Sequence, residues 1–178
     1  MDLASAILTG LGLAAAAGLN AYIPLVVVGA LQALGWVDFG SPYDNLANPW
    51  VLGVLVVLLI IEVFADKIPA VDSVNDVIQT AIRPVAGAVL FAASTGVTDV
   101  PPVLALIAGL LTAGAVHGTK AAIRPVVNAG TAGAAAPVVS TGEDIVSTGL
   151  AFIAILAPFL GTVDPTTISP SAMMVSSA

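Results

Sequence analysis

Pro49-Trp50-Val51-Leu52-Gly53-Val54-Leu55-Val56-Val57-Leu58-Leu59-Ile60-Ile61-Glu62-Val63-Phe64-Ala65 is dominated by Val and Leu and carries one charge, Glu62, in its last turn. Its length and apolarity predict a nearly upright membrane helix. The residues before it, 36–48, form a polar loop in which Trp36 and Tyr43 suit a membrane interface. After it comes the most polar stretch of the chain, Asp66-Lys67-Ile68-Pro69-Ala70-Val71-Asp72-Ser73-Val74-Asn75-Asp76, which leads into a helix expected over about 74–96. A composition of 58% hydrophobic and 8% charged residues, with a mean hydropathy of +1.08, exceeds what a soluble core requires and predicts an integral membrane protein. The start, Met1-Asp2-Leu3-Ala4, lacks the basic region of a secretory signal, so the N-terminus is expected to be retained. Without cysteine there is no disulfide, thiolate nucleophile or thiolate metal site.

The placement of charge is unusual. The four cations, Lys67, Arg83, Lys120 and Arg124, all lie in or against apolar segments, while the loops carry acids or no charge. Each Lys or Arg costs about 2.5–3.5 kcal/mol at a helix centre on insertion scales. Something inside the bundle therefore wants positive charge. Facing these cations are Glu62, Asp66, Asp72, Asp76, Glu143 and Asp144, so the net charge of −7 resides mostly in tails and loops and the interior is nearly balanced.

Two apolar blocks are too long for one upright span of about 20 residues and too short for two. The first, Leu3 to Gly35, is interrupted at Gly18-Leu19-Asn20-Ala21-Tyr22-Ile23-Pro24; the second, Pro101 to about Ala135, is interrupted at His117-Gly118-Thr119-Lys120. Both read as broken helices or re-entrant hairpins whose breaks face protein or water. A final helix is expected from about Gly142 to Leu160, giving one transmembrane domain over 1–162 and a flexible polar tail over 163–178. Pro69–Thr80 aligns with Pro137–Thr148, and the two breaks align with each other, pairing Gly18 with Gly118 and Asn20 with Lys120. Repeats with corresponding breaks point to a transport site, although one symmetry operation cannot relate both matches. The expected fold is all-α: a polytopic membrane helix bundle with two broken hairpins and a weak internal repeat.

The break at Gly18–Pro24, Glu62 with Ala65-Asp66-Lys67-Ile68-Pro69 and Val71-Asp72-Ser73, Ile82-Arg83-Pro84 with Gly87-Ala88, His117-Gly118-Thr119-Lys120-Ala121, and Glu143-Asp144 form a set. On these residues the chain resembles an uncharacterised domain-of-unknown-function family of small bacterial membrane proteins. The resemblance covers nearly the whole chain except the tail and implies no established activity.

Asp76 and Arg83, seven residues apart, fall on one helical face with Thr80 between them, and Pro84 disturbs the helix hydrogen bonding beside Arg83. Ser73-Val74-Asn75-Asp76 and Thr141-Gly142-Glu143-Asp144 also have the spacing of capping boxes, an alternative role for these acids. His117, Lys120, Arg124 and Asn128 form a single polar stripe on an otherwise apolar helix. That stripe either pairs with the carboxylates as structural glue or offers donors to an anionic group. Asn20, Arg83, His117, Lys120, Arg124 and Asn128 are the candidate substrate-binding residues, and the six interior acids are candidates for charge pairing or proton coupling. A lone His without Cys gives no expectation of a metal or other cofactor, and no catalytic residue is assigned.

These features favour a small transporter or channel for an anionic or zwitterionic solute, with a mid-membrane site at the breaks. The alternatives are a scaffold or accessory subunit of a larger membrane complex, and an intramembrane enzyme acting on a lipid or phosphate, for which H-E-x-x-H, G-x-S-x-G and Walker patterns are all absent. Expected partners are the lipid bilayer, further copies of the chain and membrane-complex subunits, with no nucleic acid. The expected location is the bacterial inner membrane, crossed several times, with Lys67 placing the 66–73 linker on the cytoplasmic side.

Overall fold

The computed structural model describes residues 2–96 and 98–161, with the side chains of residues 69, 70, 72, 73 and 159–161 outside that description. The expectations for the tail over 163–178 and for the Asp72 side chain therefore fall outside the described residues. The described fold is all-α, with six helices: α1 Leu3–Leu19, α2 Tyr22–Ala33, α3 Pro49–Ala65, α4 Pro69–Thr95, α5 Pro102–Thr131 and α6 Ala136–Gly161. A short 3-10 helix, Tyr43–Ala47, lies between α2 and α3. Three stretches, Val74–Thr95, Pro102–Thr131 and Ala136–Pro158, are long and apolar enough to cross a membrane.

Asp2 starts α1 by accepting the Ser5 amide at 3.0 Å and the Ser5 hydroxyl at 2.7 Å. The hydroxyl bond, reinforced by the amide bond, holds its carboxyl below the usual carboxylate range. The helix ends where Asn20 turns extended. The Asn20 carboxamide oxygen then accepts the amides of Tyr22 and Ile23, both at 3.1 Å, and so serves the orphan donors that open α2. The chain reverses here. Thr9 of α1 bonds the Ala154 carbonyl, while Leu31 of α2 lines a cleft with Ile155, so the far ends of both helices reach the same level of α6.

The centre of the bundle is the α1–α4 pair, with α5 packed on both and α6 on the other side of α1. Small residues set these distances. A Cβ on Gly18 would stand 2.6 Å from the Ala113 carbonyl, one on Gly109 would collide with the Gly87 carbonyl, and one on Gly12 would stand 2.6 Å from the Ala154 Cβ. Backbone approach of this kind is how helices associate in lipid, where burial of apolar surface gives no net gain. Leu13, Val28, Leu90 and Ala151 fill the space between α1, α2, α4 and α6.

The second expected break does not exist. Helix α5 runs for 30 residues straight through His117-Gly118-Thr119-Lys120. A helical glycine costs only about 1 kcal/mol relative to alanine, too little to break a helix whose polar side chains have partners. Thr119 also returns its hydroxyl to the Ala115 carbonyl, keeping its own polarity within the helix. The alignment of Asn20 with Lys120 therefore matches a helix end to a helix interior and is no structural repeat. The other alignment matches helix starts, with Pro69 opening α4 and Pro137 in the first turn of α6. Both helices begin earlier than expected because proline suits a first turn, where its missing donor has no partner to lose. Consequently Ser73–Asp76 and Thr141–Asp144 lie inside helices rather than at caps, and Thr141 bonds back to the Pro137 carbonyl. Pro84 likewise leaves α4 continuous.

Candidate functional site: a buried charge cluster

The charged residues meet where the α1–α2 turn, the end of α3 and the interiors of α4, α5 and α6 converge. Among the described residues of α3, Glu62 alone is buried, so this helix turns its charge inward and exposes Val54, Val57, Ile60 and Ile61. Arg83 on α4 is fully buried, with Nη2 at 2.9 Å from Glu62 Oε1 and 3.6 Å from Asp66 Oδ2, and Nη1 at 3.5 Å from Asp76 Oδ1. Asp76 thus faces Arg83 along one side of α4, as their seven-residue spacing requires.

The stripe on α5 joins the same cluster. Lys120 Nζ lies 2.9 Å from Glu143 Oε2 and 3.6 Å from Asp66 Oδ2. It also donates at 3.2 Å to the Leu19 carbonyl, which the end of α1 leaves without a helical partner. Arg124 approaches Asp76 at 3.5 Å, Glu143 at 3.4 Å and Asp66 at 3.9 Å. At the edge, Asn20 donates to Asp144 at 3.0 Å, and Lys67 stands 3.5 Å from the other oxygen of that carboxylate.

His117 has a fixed tautomer. Its Nδ1 lies 3.0 Å from Arg83 Nη1, and a guanidinium can only donate, so Nδ1 accepts and the proton sits on Nε2. Nε2 in turn faces the Thr80 hydroxyl at 3.0 Å, and that hydroxyl donates to the Asp76 carbonyl at 2.8 Å. The ring thus meets a donor at one nitrogen and an acceptor at the other.

Among the described side chains, Arg83, Lys120 and Arg124 are opposed by Glu62, Asp66, Asp76 and Glu143, one carboxylate more than the cations. The cluster is therefore not a bare cationic hole. It can exchange one ion-pair partner for another, or hold a group bearing both signs. Among the described residues, no group of three or more His, Asp or Glu side chains is arranged to hold a metal ion.

Two clefts reach the cluster and share Arg124. One, of about 330 Å³, runs between α5 and α6 past Leu19, Val116, Ile123 and Val139 to Lys120 and Glu143. The other, of about 360 Å³, lies between α4 and α5 and is lined by Asp76, Thr80 and Asn128. Of the sequence candidates, Asn20, Glu62, Asp66, Asp76, Arg83, His117, Lys120, Arg124 and Glu143 converge, Asp144 and Lys67 flank them, and Asn128 stands in the second cleft. Residues not anticipated are Asn75, which donates to Asp66 Oδ1 at 2.7 Å, and the buried Gln79 and Ser140. Gln79 stands one helical turn from both Asp76 and Arg83, and that spacing was the signal available.

The family model described as Domain of unknown function (DUF4126) matches residues 7–168. The chain belongs to that family. The matched range contains every member of the cluster, from Asn20 to Asp144, so the convergence of charges lies wholly within the family domain. No curated protein and no solved structure matches the chain.

Proposed function

We propose that this membrane-embedded helical protein is a small transporter or channel of the bacterial inner membrane, and that the charge cluster is its site. The observation that carries this reading is the pair of clefts meeting at Arg124, because a structural ion-pair network needs no access from two sides. The one-carboxylate excess favours a zwitterionic solute over a simple anion, since an anion would have to displace a carboxylate and leave it buried and unpaired. The chain reversal at Asn20 supports a re-entrant α1–α2 hairpin, whose turn contributes a carboxamide and the Leu19 carbonyl to the site. The site is thus one hairpin turn against the continuous α5, in place of two facing breaks.

The test uses the chain's lack of cysteine. Thr80→Cys and Asn128→Cys, in the α4–α5 cleft, should react with a membrane-impermeant thiol reagent from one side of intact membranes, while Leu58→Cys should not. Proteoliposomes should then take up a zwitterion from a panel of amino acids and phosphoethanolamine, faster than empty vesicles, and Arg124→Gln should abolish the difference. Complete internal pairing of the cations favours a second reading, a scaffold in which the cluster locks helices together. Inert cysteines at 80 and 128 and no uptake would select it.

A further inference from the structure

The α5–α6 cleft differs chemically from the α4–α5 cleft. Its walls are Leu19, Val116, Ile123, Val127 and Val139, with Thr119 turning its hydroxyl back to the Ala115 carbonyl, yet it ends on Lys120 and Arg124, side chains only 2% and 3% exposed. Between the two cations lies one carboxylate oxygen, Glu143 Oε2, at 2.9 and 3.4 Å. A water-soluble solute gains nothing from such walls, whereas an amphiphile matches both parts.

Height along the helices points the same way. From Pro102, Lys120 is about 27 Å and Arg124 about 33 Å along α5 at roughly 1.5 Å per residue. The hydrocarbon layer is about 30 Å thick, so with Pro102 at one boundary these cations stand at the other, where lipid phosphates lie. Helix α3 gives an independent measure: its 17 residues, Pro49–Ala65, are followed at once by Asp66, which reaches Lys120 and Arg124. The cleft runs along α5 from Val116 to Val127 and straddles that level.

We propose that the α5–α6 cleft binds a bilayer phospholipid with a zwitterionic, primary-amine headgroup, its phosphate between Lys120 and Arg124, its ammonium on Glu143 and its acyl chain along the apolar wall. The phosphate takes the place that Glu143 Oε2 holds without lipid, and the displaced carboxylate meets the ammonium. Lys120 keeps its bond to the Leu19 carbonyl throughout. The proposal rests on reading the cluster as a ligand site and names its substrate class.

The full chain in neutral detergent, titrated with phosphatidylethanolamine and followed by native mass spectrometry, should bind one lipid at least about tenfold more tightly than diacylglycerol of the same chains, as expected for charge-assisted bonds to the phosphate. Phosphatidylglycerol should be weaker than phosphatidylethanolamine, and Glu143→Gln should reverse that order. Val139→Trp, which fills the cleft without touching a charge, should remove binding, and Val103→Trp, on the exposed far end of α5, should not. Circular dichroism of each variant checks that the helices form. Equal binding of diacylglycerol, or an unchanged affinity in Val139→Trp, overturns the proposal. Equal binding of glycerophosphoethanolamine, the headgroup without chains, also overturns it but leaves a zwitterion transporter standing. Inert cysteines at 80 and 128 with intact lipid binding would instead fail the transport reading alone.

Discussion

Asp66 Oδ2 is shared by Arg83, Lys120 and Arg124, and Asp66 Oδ1 is held by Asn75, so this carboxylate is the common anion of the cluster. Removing one member of a buried charge group leaves the others uncompensated, which costs about 3–5 kcal/mol. Asp66→Asn is therefore expected to destabilise the protein by about that amount, read from thermal or denaturant unfolding in detergent. Lys67→Met is the control at the same linker. Its side chain is 32% exposed and its pair with Asp144 is 3.5 Å long, so a change under about 1 kcal/mol is expected. His117→Leu tests the fixed tautomer. It strips the acceptor from Arg83 Nη1 and the donor from Thr80, with an expected loss of about 1–3 kcal/mol. That these residues belonged together was legible in the sequence, because charges at membrane depth need partners. Which acid meets which cation was not, since pairing depends on how five helices turn about their axes. Asp66 meets Lys120 and Arg124, whereas Glu62, one turn earlier on α3, takes its hydrogen bond from Arg83.

The continuity of α5 shows where a sequence reading of elements loses its grip. Gly118, His117 and Lys120 together resemble a break, and the same kind of signal at Gly18-Leu19-Asn20 accompanies a real helix end. The difference lies in what the backbone can do. Asn20 accepts two amides of the next helix, a local substitute for the lost helical bonds, and Pro24 fits the first turn that follows. At 117–120 no side chain replaces a helical bond: His117 and Lys120 serve other helices, and Thr119 bonds back within α5. Two glycine substitutions separate these roles. A Cβ on Gly118 meets nothing, so Gly118→Ala is expected to raise stability by up to about 1 kcal/mol through helix propensity. Gly109→Ala drives a methyl into the Gly87 carbonyl and the Phe91 Cβ on α4, and the two helices must part. A lowered unfolding midpoint for the second and a raised one for the first would establish that α5 is a continuous rod gripped at its first half. Loss of stability in both would mean that the chain bends at 118.

At the scale of the whole molecule, α3 is the least embedded helix, and the one side chain it buries is a carboxylate. Val54, Val57 and Ile61 face outward while Leu55, Leu58 and Leu59 pack partly buried on the core, and the helix touches α2, the short 3-10 helix and, to a small extent, α4. The Glu62–Arg83 pair at 2.9 Å is then the polar clasp that ties α3 to the centre of the bundle. A clasp of this kind has an energetic signature. Glu62→Leu alone leaves a fully buried guanidinium short of its nearest carboxylate and is expected to cost about 3–5 kcal/mol. Arg83→Met alone leaves Glu62 without its cation and is expected to cost a similar amount. The double variant removes both charges, so its loss should fall short of the sum of the two single losses by more than about 1 kcal/mol, the coupling expected of directly paired residues. Hydrogen exchange gives the second readout. In Glu62→Leu the amides of α3 should exchange faster while those in the first half of α5 keep their protection, because the helix has lost its tie without loss of the central packing. Additive losses in the cycle, or uniform loosening of every helix, would mean that α3 is held by the bilayer and its neighbours, and that Glu62 serves only the charge balance of the cluster.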